Sequence, residues 1–86
     1  MAANKITLTN SRSDTVTLYL EPWAEELELA TADSVDIVQD PVEDGRLVLE
    51  VVDEGYVFYG NMFVKLRIYR GEELIWESYD APETAG

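Results

Sequence analysis

Nucleophilic chemistry would have to start from the serines at positions 11, 13, 34 and 78, and the chain gives them nothing to work with. There is no histidine to act as general base and no cysteine to supply a thiolate. A serine–lysine arrangement would draw on Lys5 or Lys65, and neither stands in a local context that sets one up. Paired carboxylates are the remaining route, since 18 residues are Asp or Glu. That route needs one acid held protonated in a pocket, whereas these acids fall on turns and on outward strand positions. No enzyme is expected.

Without histidine and cysteine, zinc, copper and haem lose their usual ligands, so any bound metal would be a hard, oxygen-ligated cation. Asp40, Glu43 and Asp44 precede Gly45, with Asp33 and Asp36 upstream. Their spacing does not match the alternating-acid calcium loop with its distal Glu. Acids beside Pro and Gly are also ordinary turn residues. Neither a metal nor a cofactor is expected, and no disulfide can form.

Recognition is what the remaining residues suggest. Phe63, Lys65, Arg67 and Tyr69 alternate, which would set aromatics and two of the six cations on one outward stripe. Such a stripe can stack on single-stranded nucleic acid. A net charge of −12 opposes that, and it opposes anionic lipid as well. Direct nucleic-acid or membrane binding is therefore not expected.

The expectation is a non-catalytic module that binds a protein partner, or a second copy of itself, through a half-apolar sheet face. Alternation assigns Val48, Val52, Phe63, Tyr69, Ile75 and Tyr79 outward, with Val48 and Val52 on the same sheet as the stripe. Trp23 reads either as an aromatic closing one end of the fold or as an exposed anchor, and the neighbouring Pro22 favours the corner.

The acidity has an ordinary explanation in solubility. The second reading is mimicry, an acidic decoy for the basic groove of a DNA-handling protein, as some phage-encoded inhibitors are. That reading requires Glu21, Glu26, Glu28, Asp33, Asp36 and Asp40 to gather on one side.

Strands must position these residues. Ile6 and Leu8 alternate with threonines, and Val16, Leu18 and Leu20 alternate with Thr17, Tyr19 and Glu21. Leu27 and Leu29 follow, then Val35 and Ile37. After the loop at 40–45 come Leu47, Leu49 and Val51 on one face, the run 56–59, a long run 63–70, and 74–79. Turn residues separate the runs at strand-like spacing. The stretch 23–29 could form one helical turn, but the alternation of Leu27 and Leu29 favours a strand.

The last hairpin has two possible registers. A two-residue Gly71-Glu72 turn sets Leu74 and Trp76 beside Lys65 and Arg67. A three-residue loop sets them with the core, and burial favours that one.

The whole chain of 86 residues forms one domain, an antiparallel β-sandwich of about seven or eight short strands, of immunoglobulin-like, cupredoxin-like or jelly-roll-like type. Apolar residues at 47% are enough for a core, though a thin one. The tail 81–86 is expected to fray. The start, Met-Ala-Ala-Asn-Lys, lacks the apolar core of a signal peptide, and no run approaches the ~20 apolar residues of a membrane span. A cytoplasmic location is expected.

The string Leu20-Glu21-Pro22-Trp23-Ala24-Glu25-Glu26 resembles a Leu-Glu-Pro-Trp-Gly-Glu string carried by small acidic bacterial β-sandwich proteins of unassigned function. The likeness covers roughly residues 15 to 38. The chain departs at Ala24, where those proteins have Gly, and at Thr31-Ala32-Asp33, where they have Pro-Gly. The resemblance implies a sandwich fold and no activity. A looser likeness to cupredoxins carries no copper, because their His₂Cys ligand set is missing.

Overall fold

Alternation decides which side of each strand is apolar, and hydrogen-bond register decides what that side meets. A computed structural model describes residues 4–41, 48–61 and 64–78. They form eight strands: β1 (Asn4–Thr9), β2 (Val16–Glu21), β3 (Glu25–Leu29), β4 (Ser34–Gln39), β5 (Val48–Val52), β6 (Gly55–Tyr59), β7 (Leu66–Arg70) and β8 (Glu73–Glu77). One four-stranded sheet runs β1-β4-β7-β8 and the other β3-β2-β6-β5. The fold is an all-β sandwich, as expected, and the stretch 25–29 is a strand.

One pairing departs from the purely antiparallel expectation: β2 and β6 run parallel, Thr17 to Glu21 beside Gly55 to Tyr59. Within each sheet the described strands of equal parity point the same way, and β2 and β6 are the even-numbered neighbours among them.

The inward rows meet in one core. Val16, Leu18, Leu20, Leu29 and Phe58 come from one sheet, and Leu8, Val35, Ile37, Leu66 and Ile68 from the other, all buried. Each such side chain contributes about 1.5–3 kcal/mol relative to exposure. Leu49 packs against this core, but Val51, on the same row of edge strand β5, is 75% exposed. The expected partner of that row, Leu47, lies outside the described residues, as do Phe63 and Tyr79.

The last hairpin corrects the expected loop. Arg70 faces Glu73 across a two-residue Gly71-Glu72 turn, with φ of +62° at Gly71. A register shift between Ile68 and Tyr69 then sets Leu74 opposite Tyr69 and Trp76 opposite Ile68. Leu74 is therefore exposed, while Trp76 packs on the core. The bulge lets one strand keep a tight turn and still bury its indole. Ile75, expected outward, packs against the core for the same reason.

Each end of the sandwich has its own closure. At one end the buried Asn10 side chain donates to the carbonyls of Asp14 and Leu29 and accepts from the Arg12 amide. At the other, the rings of Trp23 and Trp76 meet edge to face at 5.6 Å, and Trp76 Nε1 donates to Glu25. Trp23 lies against Gly60, where any β-carbon would come within 2.5 Å of its ring. The Glu21–Pro22 peptide beside it is cis.

Candidate functional site

Strand β2 buries Val16, Leu18 and Leu20, so Thr17, Tyr19 and Glu21 must point away from the core. Register then builds the outer face of the β3-β2-β6-β5 sheet in three rows. Across the strands these read Glu28, Thr17, Gly55, Val52; then Glu26, Tyr19, Val57, Glu50; then Glu21, Tyr59, Val48. Aromatic and aliphatic side chains fill the middle, and carboxylates stand on both flanks.

Among the described residues no lysine or arginine points outward on this face. The one side-chain hydrogen bond within it runs from the Tyr59 hydroxyl to Glu50 Oε1 at 2.9 Å. That bond raises the Tyr59 pKa above the ordinary phenol value, with desolvation and the charges of Glu50 and Glu21 adding to it. An open groove of about 640 Å³ crosses the face, lined by Tyr19, Glu21, Pro22, Val52, Glu54, Val57 and Tyr59.

The opposite outer face is built differently. Thr7 Oγ1 donates to Asp36 at 2.6 Å, and Lys5 Nζ lies 3.8 Å from the same carboxylate. Arg67 reaches Asp40 and Glu77, each at 3.0 Å. Its pKa is raised chiefly by the hydrogen bond to Asp40, with desolvation opposing. Thr9 and Ser34 share a 2.6 Å hydrogen bond. Lys5 and Arg67 are thus paired with acids of the same face, which also carries Val38, Tyr69 and the exposed Leu74.

This geometry divides the residues expected to form one binding face. Val48 and Val52 lie on the outer face of the β3-β2-β6-β5 sheet, whereas Arg67 and Tyr69 lie on the opposite outer face. The reason is that β5 pairs with β6, but the chain crosses sheets before β7, which pairs with β4. Lys65 precedes β7 and donates to the Ser78 carbonyl. Trp23 is half-buried against the core at the end of the sandwich. Phe63 lies outside the described residues.

The six acids expected on one side divide as well. Glu21, Glu26 and Glu28 share the outer face just described. Asp36 lies on the other face, Asp40 is tied to Arg67, and Asp33 sits 3.6 Å from Arg70 at the end of the sandwich.

Tyr19, which alternation sets outward, completes the face together with Glu50, Val57 and Tyr59, none of the four having been expected as a binding residue. The available signal was Tyr56-Val57-Phe58-Tyr59, a run with no polar residue, which marks a central strand apolar on both sides. Two of the four serines have structural partners, Ser34 with Thr9 and Ser78 Oγ with the Leu66 amide. Among the described residues no three acids are grouped as a metal site would need, and Glu43 and Asp44 lie outside them. No helix there is long and apolar enough to cross a membrane. No family model matches the chain, and neither the curated proteins nor the solved structures give a match.

Proposed function

We propose that this domain is a non-catalytic module that binds a protein partner through the outer face of its β3-β2-β6-β5 sheet. One observation carries the reading. This face combines Tyr19, Val57, Tyr59, Val48 and Val52 with four glutamates and, among the described residues, no cation. Exposed aromatics within an apolar strip are typical of the centre of a protein interface. On the opposite face the cations Lys5 and Arg67 already pair with Asp36, Asp40 and Glu77, so its charges offer a partner less to complete.

The test is a matched pair of substitutions. Val57 and Val38 each stand mid-strand, on opposite outer faces. Proteins captured by the wild-type domain and quantified by mass spectrometry should be lost with Val57→Lys and retained with Val38→Lys. Retention of the same set by both variants would remove the assignment.

A further inference from the structure

We infer that the groove across β2 and β6 seats an extended segment of the partner in which two cationic side chains flank an apolar one. This rests on the face proposed above and specifies what occupies it. The groove has a charged group near each end and none between. Glu54 immediately precedes β6, and Glu21 stands level with Tyr59 at its far end. Five residues of strand separate those levels, about 16 Å at ~3.3 Å per residue. Tyr19, Val57 and Val52 line the floor between them.

Among the described residues neither the Glu21 nor the Glu54 side chain has an ion-pair or hydrogen-bond partner, so both are available to an incoming cation. The Tyr19 and Tyr59 rings add faces on which a guanidinium can rest. The raised Tyr59 pKa agrees with a negative field at that end.

Charge selects among occupants. A second copy would bring Glu21, Glu26, Glu28 and Glu50 against their own kind, on chains of net charge −12 each. Nucleic acid meets the same repulsion. Size argues for a segment over a globular surface. Four strands at ~4.8 Å and five residues at ~3.3 Å give a face roughly 19 Å by 16 Å, below the ~800 Å² per partner of a standard interface. In an extended segment, side chains two apart share a side, so cations at i and i+4 with an apolar residue at i+2 span about 13 Å. Arginine side chains reach the rest.

The probe is the capped peptide Arg-Ser-Val-Ser-Arg, titrated into the isotopically labelled domain and followed by amide chemical shifts. Shifts should concentrate at 17–21 and 54–59. The double variant Glu21→Gln/Glu54→Gln should weaken binding about fivefold or more, as expected for two exposed charge contacts. Removing the same charge on the other sheet, with Glu72→Gln/Glu73→Gln, should leave it nearly unchanged. Equal losses from both double variants, or shifts spread over both faces, would overturn the assignment. So would spermine binding as tightly as the peptide, because charge alone would then suffice. If Val57→Lys abolishes partner capture while Glu21→Gln/Glu54→Gln leaves peptide binding intact, the face stands and this occupant falls.

Discussion

The two outer faces come from the same number of strands and the same alternation, yet they handle charge in opposite ways. On the β1-β4-β7-β8 sheet, Lys5 pairs with Asp36 and Arg67 with Asp40 and Glu77, and Thr7 is hydrogen-bonded to Asp36. On the β3-β2-β6-β5 sheet, the Glu21, Glu26 and Glu28 carboxylates have no ion pair among the described residues and stand beside an aromatic and aliphatic strip. Ordinary solubility would be served by either arrangement. Leaving one face uncompensated makes that face complementary to something cationic and apolar, and that is the lesson of the contrast.

The largest expected effect comes from breaking the strand pairing that creates the open face. Gly55 sits at φ +150°, and a β-carbon there would strike the Thr17 carbonyl and come within 2.8 Å of its amide nitrogen. Thr17 and Gly55 are the first partners of the parallel β2–β6 pair. Gly55→Ala should therefore cost about 3 kcal/mol or more, measured by denaturant unfolding. A loss under about 1 kcal/mol would mean that the β2–β6 junction tolerates a side chain and does not control the face.

A gain should follow at the turns. Ala24 and Ala32 have φ of 58° and 71°, in the left-handed region. That conformation costs a non-glycine residue about 1–2 kcal/mol, while glycine's looser unfolded chain offsets about 0.4–1. Ala24→Gly and Ala32→Gly should each add roughly 0.5–1 kcal/mol, seen as a higher unfolding midpoint.

The smallest effect separates the faces by their chemistry. Tyr59 has a raised pKa in the folded protein, so its bond to Glu50 stabilises fully below the ordinary phenol pKa of about 10. That contribution disappears as pH rises through the folded value. Tyr59→Phe should flatten this alkaline loss of stability. Salt should leave the Tyr59 effect largely in place while weakening the exposed Arg67 pairs on the other face.

Much of this architecture is legible from residue order alone. Period-two alternation and turn residues locate the strands, including 25–29, where Leu27 and Leu29 outweigh a possible helical turn, while β6 shows as an unbroken apolar run. Alternation also assigns Tyr19, Val48 and Val52 outward. It does not report which sheet a strand joins. Val52 and Tyr69 are both outward, but β5 and β7 belong to different layers, and that follows from long-range pairing. The bulge at Ile68/Tyr69 is equally invisible, because one extra residue puts Leu74 and Trp76 on opposite faces without changing composition. Asn10 reads as a polar break in the pattern and is instead a buried hub, since its partners at Asp14 and Leu29 meet it only after folding.

The central claim is that contact occurs on one outer face and not on the other. A photo-reactive phenylalanine analogue placed at Val57, and separately at Val38, tests it in the cells that express the protein. The account predicts a discrete crosslinked adduct from position 57, competed by unlabelled wild-type domain, and none from position 38. Equal adducts from both positions, or an adduct from position 38 alone, would contradict it.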